Sequence, residues 1–420
     1  MILWLALMGC RADEDVASGD SGASTPVDAP TYYADISPLM ATHCTRCHNP
    51  QGLGMGDFTS PDEVTLLAPA IAAAVSAGRM PPPASDPSCN DYVGSDILSL
   101  SDEDKRIIAD WAAADAPLGD PADEPVVEPT SHDLTDPDLT LLMSEGYTPT
   151  YADPDSPANE YRCFLLERPE GAESFYITAM APVIGEESIA HHAVLFTSGD
   201  ETLKPYMDDL TDGDGLDCME GLSSVDGMLT AWAPGMMPIE FPEGSGLHVA
   251  ADEHVILQMH YYSSGPDTKG LTDQSGYAFR TATEVDKTMY MAPVGAFDFE
   301  IPAGDDNYTH VSSFENSYVD LQIYGMFPHM HVLGQSYSAT VRHADGSESC
   351  LVEGDYDFSN QMTYQFSDPV SFANGDTIEF SCNWNNSESN PDLPSDEPKD
   401  TYYGERTDEE MCYFFTFVSI

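Results

Sequence analysis

From about residue 136 to the C-terminus the chain is written in short runs with a period of two. Ser174-Phe-Tyr-Ile-Thr-Ala, His254-Val-Ile-Leu-Gln-Met-His-Tyr-Tyr and Thr377-Ile-Glu-Phe-Ser-Cys-Asn-Trp are representative, with Gly, Pro, Asn and Asp in the gaps. Alternation at that period sends successive side chains to opposite faces of a strand, so the runs predict antiparallel β-sandwiches. No helical heptad and no Gly-rich phosphate loop interrupts them. That removes coiled coils and P-loop nucleotide-binding domains from consideration. A turn-rich stretch from Gly265 to Ser275 divides the region into halves of similar size, 136–275 and 276–420.

The texture upstream is different. Residues 32–118 hold Cys44-Thr-Arg-Cys47-His48, a small-residue helical run from Ala68 to Ala77, and the turn Gly78-Arg-Met80-Pro-Pro-Pro83. Ser101-Asp-Glu-Asp104 reads as a capping box opening a last helix, with Ile107, Ile108 and Trp111 on one face. In C-x-x-C-H, two thiols bond covalently to a haem and the histidine supplies the proximal iron ligand. His48 and the downstream pattern favour that over a zinc or dithiol site. A methionine just before a rigid proline turn suits the distal position, which makes Met80 the expected ligand; Met55, its rival, lies too close to His48 to reach the opposite haem face. The segment resembles a small class I cytochrome c, which implies an all-α fold and a bound haem c. A linker rich in Pro, Asp and Glu, 119–135, follows. The expected architecture is a small all-α domain followed by two all-β sandwiches.

With 73 acidic against 14 basic residues the net charge is −59, which repels nucleic acid and anionic lipid surfaces alike. The acidic stretch Asp208–Asp217 is not a calcium loop, because Leu210 and Gly221 occupy the first and last ligand positions. At the N-terminus, Met1 to Cys10 reads as the apolar core of a secretory signal ending in Leu7-Met-Gly-Cys10. That ending looks like a bacterial lipoprotein box, which predicts acylation of Cys10, a linker over 11–31 and an exported, lipid-anchored protein. The location would be the periplasm, the outer membrane or the cell surface. Cysteine usage agrees: of nine, Cys89, Cys163, Cys218, Cys350, Cys382 and Cys412 remain for disulfides in an oxidising compartment. Cys89 and Cys350 stay open at this level, either pairing across domains or remaining unpaired.

The histidines carry the chemistry. His329 and His331, at i and i+2 in Tyr324-Gly-Met-Phe-Pro-His-Met-His-Val-Leu-Gly334, are expected on one face of a strand, where two imidazoles can close on one metal ion. His191 and His192 are adjacent in an apolar strand and would face opposite ways. One ion can hold both only through a bulge or through different ring nitrogens. His260 lies in a buried-looking strand. Met411 and Cys412 face opposite sides of theirs, so Met411 can point at a metal while Cys412 pins the strand, with Cys382 a plausible partner. His132, His248, His254, His310 and His343 are expected to be surface or structural residues.

Read in order, Tyr161-Arg-Cys163-Phe, His191-His192, Cys218, Ala231-Trp-Ala-Pro-Gly, Leu257-Gln-Met-His260-Tyr, His329-Met-His331 and Glu410-Met411-Cys412 resemble the copper type II, ascorbate-dependent monooxygenases. This is the family of peptidylglycine α-hydroxylating monooxygenase and dopamine β-monooxygenase, and the resemblance spans residues 136–420. It implies one copper on His191, His192 and His260, and a second, catalytic copper on His329, His331 and Met411. It also implies disulfides Cys163–Cys218 and Cys382–Cys412, and two jelly-roll sandwiches whose metals face each other across a solvent cleft. Three imidazoles suit a copper that cycles between Cu(I) and Cu(II), and two imidazoles with a thioether make a softer site.

The departures from the family pattern bear on substrate and electron supply. In the peptide-amidating member an Arg two residues before the His-x-His holds the substrate carboxylate. Here Phe327 stands in its place, and Tyr413 and Phe415 replace the Asn and Tyr that follow the Met-Cys pair. The expected substrate is therefore a less polar small organic molecule, attacked by O2 at a C–H bond. Electrons are expected through the haem in place of ascorbate, from an external donor. The alternative is a non-catalytic copper–haem protein that relays electrons or stores metal, but a pure relay has no need of the soft Met411 site.

Overall fold

A computed structural model describes residues 29–52, 54–127, 133–152, 158–169, 171, 173–218, 227–263, 265–395, 397–404, 406 and 408–420. The leader with Cys10, the linker as far as residue 28, and His132 lie outside the described residues.

The first described segment is helical. Tyr32–Ile36, Ser37–Leu39 and Met40–Cys44 form one continuous winding, followed by helices Pro61–Ser76 and Asp102–Ala113. Pro61 occupies the first helical position, where its missing N–H costs nothing, and Asp62 and Glu63 favour the positive end of the helix dipole. Ser101 and Asp104 form the expected capping box. The three windings bury Ile36, Met40, Val64, Ala68, Ile108 and Trp111 against one another. The Trp111 indole N–H donates to the Pro117 carbonyl at 3.1 Å and ties down the exit of the last helix.

Residues 81–99 do not join that core, which the chain re-enters at Leu100. Tyr92 and Leu98 are buried with the β-strands instead. Tyr92 makes an antiparallel bridge to Phe366, and the Asp86 and Val93 N–H groups donate to Glu353 and Gln365 carbonyls at 2.7 and 2.9 Å. A disulfide joins Cys89 to Cys350, which resolves the alternative left open for those two cysteines. The segment is a strap that fastens the helical part to the C-terminal strands.

From Leu139 onward strands dominate. A nine-stranded sheet runs through both halves, covered in the first by a five-stranded sheet and in the second by a four-stranded one. The two β-sandwiches thus share one sheet, joined where Ser245–Val249 pairs in parallel with Lys287–Ala296. Gly276–Ala282, assigned to the second half from turn signals, pairs with Leu139–Leu142 and Phe175–Val183 of the first. The turns at 265–275 mark a return within the first sandwich, and the crossover follows at Lys287. Disulfides Cys163–Cys218 and Cys382–Cys412 are both formed, as the resemblance implied.

Candidate metal centres

Three neighbouring strands build the first centre. Asn159–Leu166, Glu253–Tyr262 and Ala190–Gly199 lie side by side, with Tyr161 opposite His260 and His260 opposite His192. The register shifts between Ala190 and His192, the irregularity that two adjacent histidines need to turn toward one point. His192 Nδ1 is then 3.2 Å from His191 Nδ1 and 3.2 Å from His260 Nδ1. One ligand atom from each residue lies within 4.8 Å of the other two. Nitrogens each about 2 Å from a common ion would have such spacings. His260 Nε2–H donates to Asn159 Oδ1 at 2.8 Å, which leaves the Nδ1 lone pair for a metal. Tyr161 stacks on the same ring at 4.1 Å with the planes 3° apart. Burial lowers His191 to about 4 and holds His192 and His260 well below the usual imidazole range. All three rings are neutral donors at physiological pH.

The second centre is assembled differently. Leu321–His329 lies between Tyr364–Phe372 and Cys412–Ser419, with His329 opposite Tyr413. The strand ends at His329, so His331 does not share its face as the i, i+2 spacing led one to expect. Contacts from elsewhere in the chain set the second ring instead. The His331 backbone N–H donates to Glu410 Oε2 at 2.9 Å, and His331 Nδ1–H to the Glu409 carbonyl at 3.0 Å. His329 Nδ1–H donates to Gln361 Oε1 at 2.6 Å. Both Nε2 lone pairs are thereby left for a metal, on rings 5.2 Å apart and 82° inclined. Burial lowers both, His331 to about 3.

Met411 is half-buried, and Cys412 is fully buried in its disulfide. Met411 immediately precedes the strand Cys412–Ser419, two positions before Tyr413, the partner of His329. Glu410 ties the two loops together. It accepts N–H bonds from His331, from Leu333 at 2.7 Å, from the Trp384 indole at 2.9 Å and from Met411 at 3.3 Å. Burial raises its carboxyl to about 7 against the pull of those donors.

The two histidine sets face each other. The Phe358 ring lies 6.4 Å from both His192 and His331, and His329 and His331 are close enough to disfavour charge on His192. A solvent cleft between the metals was implied by the resemblance; the Phe358 ring stands between the two sets.

In the helical part, the Cys44 and Cys47 thiols stand on one turn, both free, while the other described cysteines are in disulfides. Burial pushes the Cys44 thiol up to about 12 and raises Cys47 as well. His48 Nδ1–H donates to the Met55 carbonyl at 2.8 Å and its ring stacks on Phe58 at 4.2 Å, so Nε2 keeps its lone pair. Met80 is partly exposed at the head of the proline turn.

The remaining histidines make other contacts. His254 pairs with Asp200, His310 with Asp298, His343 with Asp376 and Ser349, and His248 packs on Tyr176. Asn159, Gln361 and Phe358 were not legible from sequence: Asn159 is 101 positions from His260 and Gln361 is 32 from His329, with no local motif to link them. Glu410 was visible only as part of the Glu-Met-Cys string.

Fold and sites together define a two-sandwich protein with two imidazole-lined centres. Residues 148–267 match the N-terminal domain of the copper type II ascorbate-dependent monooxygenases, and residues 298–418 match the C-terminal domain. The two spans cover more than half the chain and include all six candidate ligands, so the chain belongs to that family. A tyramine beta-hydroxylase of Caenorhabditis briggsae is 29% identical over 127 residues, 28% of this chain. The match spans about a fifth of that relative, 21% of its length. Among solved structures, the T13 particle of IBDV aligns at 10% identity over 63% of this chain and 54% of that one, with a TM-score of 0.17. The infectious bursal disease virus VP2 subviral particle aligns at 10% identity over 63% and 64%, with a TM-score of 0.09. Likenesses of that size carry no argument.

Proposed function

We propose that the chain is a copper-dependent monooxygenase that hydroxylates a C–H bond of a small, weakly polar organic molecule with O2, electrons reaching it through a haem c. The observation that carries this reading is the opposition of two neutral histidine sets, with the Phe358 ring 6.4 Å from a histidine of each. Both donor sets fit copper. Ions held by His191, His192 and His260 and by His329, His331 and Met411 would supply the two one-electron couples of R–H + O2 + 2e⁻ + 2H⁺ → R–OH + H2O, the thioether favouring Cu(I) at the second.

The chain's own residues set the conditions for that chemistry. Asn159, Gln361 and the Glu409 carbonyl each hold an N–H and so fix which nitrogen faces the metal. Phe358 stands 6.4 Å from a histidine of each centre. Beside His329 runs a series of rings: Phe327 at 6.0 Å from it, Phe415 at 5.9 Å from Phe327, Tyr413 at 5.8 Å from Phe415, and Phe297 at 5.5 Å from Tyr413. Phe297 is 62% exposed and opens the series to solvent. Gly295 lies under Tyr413, where a Cβ would meet the ring at 2.9 Å. These rings carry no charge, which supports an apolar substrate over a carboxylate-bearing peptide. The relative's name is that of a hydroxylase, the same class of reaction.

In the helical part, Cys44 and Cys47 would be the thioether donors of a haem, His48 its proximal ligand and Met80 its distal ligand. Bound there, it would pass single electrons from an external donor to the copper module. Three disulfides are in keeping with export, and a lipid on Cys10 would anchor the protein to a membrane. The test is metal and haem analysis, then anaerobic reduction and addition of O2. Two coppers and one haem per chain are expected, with all three centres reoxidised. If Met411→Ala reoxidises as fast as the parent protein, the assignment of the second centre to O2 is wrong.

A further inference from the structure

The loop Ala233–Glu240 touches three separate parts of the chain. Just before it, Trp232 pairs with Ala193, next to His192. Arg46, inside the C-x-x-C-H turn, donates from Nη1 to the Gly235 carbonyl at 2.9 Å. Gly235 has φ +90°, and a Cβ there would stand 3.3 Å from Cys47 Sγ and 3.5 Å from the Arg46 guanidinium. Only glycine meets both demands without strain. Further along, a Cβ on Gly94 of the strap would be 3.5 Å from Met237 Cγ. Gln365 of the second sandwich donates to the Pro238 carbonyl and accepts from the Glu240 N–H, each at 3.0 Å. Its own carbonyl accepts from Val93 of the strap at 2.9 Å.

The other wall of the Cys47 site leads to the same centre. The charge of Glu187 bears on the Cys47 thiol, and Glu187 sits in the turn that enters the strand of His191 and His192. The haem-attachment turn therefore lies beside two segments of the first sandwich, the one that leads into the strand of His191 and His192 and the one that leaves the strand paired with it. Its approach to the second centre is more distant in the chain: a 3.4 Å bond from Asn360 to the Pro83 carbonyl, beyond Met80.

We propose that Ala233–Glu240 is the docking surface for the haem-attachment turn, on the side of the three-histidine centre, and that Arg46 is its positioning residue. This rests on the haem reading given above. Each transfer moves one electron from ferrous haem to Cu(II), with no bond made or broken and no proton displaced.

The experiment uses the haem- and copper-loaded full chain. The oxidised protein receives one electron from a photoexcited ruthenium complex, and the haem band and the Cu(II) EPR signals are followed. In the parent protein the haem is expected to reoxidise in a first-order phase independent of protein concentration, with loss of the three-imidazole Cu(II) signal. In Arg46→Ala that phase should slow about tenfold, the weight of one charge-assisted hydrogen bond. Haem content, haem spectrum and copper content should not change, and Arg46→Lys should recover much of the rate. The double variant Cys89→Ser/Cys350→Ser unties the strap far from the haem turn and should slow the same phase. Parent rates in both Arg46→Ala and the double variant overturn the docking proposal, as does first loss of the signal from the other copper. Absence of any haem-to-copper phase in the parent protein overturns the haem reading itself, and this proposal with it.

Discussion

The two histidine centres reach similar donor geometry by opposite routes. His192 and His260 face each other across paired strands, and one bulge brings His191 to them. That centre is a product of sheet register. The second begins where a strand stops: His331 lies outside it, and Gln361, Glu409 and Glu410 hold the rings from loops elsewhere in the chain. A centre written into register tolerates the loss of a neighbour, whereas one propped by distant side chains depends on every prop. Each experiment below tests that difference.

The largest effect is expected from His260→Ala. Its ring is held between the Tyr161 stack and the His192 Nδ1 contact, so its loss opens the middle of the first centre. Copper should fall from two ions per chain to one, and substrate-dependent O2 uptake should fall to background. Elemental analysis showing two coppers in the variant would break the three-ligand assignment.

Glu410→Ala comes next and should act on the other centre alone. Four buried N–H groups lose their acceptor together, at a cost of about 3 kcal/mol or more. Urea unfolding should report that loss, and EPR should show the second copper signal weakened with the three-imidazole signal intact. Equal damage to both signals would mean that the centres are not independently built.

Sequence made the first centre more legible than the second for the same physical reason. His191-His192 inside an apolar run called for a bulge or for different ring nitrogens, and the register shifts there. His329-Met-His331 invited a simple strand, yet the strand stops at His329, and Glu410, far along the sequence, takes the His331 N–H. Period-two alternation identified the strands but not their partners, so Gly276–Ala282 was placed in the wrong sandwich. The strap at 81–99 was hidden likewise, since nothing local shows that Tyr92 would find Phe366. Motifs report what is near in sequence, and props are near only in space.

Acid should separate the centres further. Unfolded histidines titrate near 6.5, whereas burial holds His191 at about 4 and His331 at about 3. The folded chain keeps them neutral, so below pH 6.5 the unfolded chain binds protons that the folded one refuses. Their contribution is complete above that pH and is lost progressively as pH falls toward the folded values, at about 1.4 kcal/mol per group per pH unit. Denaturation of the metal-free protein should follow that slope. With copper bound, protons compete for three imidazoles at the first centre but only two at the second, because a thioether does not titrate in this range. The three-imidazole EPR signal should therefore fall more steeply with pH. Equal steepness would point to a third titrating ligand in place of Met411.

The smallest effects should come from the paired substitutions Asn159→Leu and Gln361→Leu, each removing one acceptor from a ligand histidine. The bonds are alike, 2.8 Å to His260 Nε2 and 2.6 Å to His329 Nδ1, and loss of such a partner typically costs a metal site about tenfold in affinity or more. What surrounds each ring makes the two cases unequal. His260 remains clamped by its strand pairing and by the Tyr161 stack, so its nitrogen still points at the ion when Asn159 is gone. His329 is the last residue of its strand, with the looser ring contacts of Phe327 and Phe415 at 6.0 and 6.2 Å beside it, so Gln361 alone fixes its tautomer and much of its orientation. Copper titrations against a competing chelator should show the larger loss in Gln361→Leu. A larger loss in Asn159→Leu would reverse the ranking of register over props.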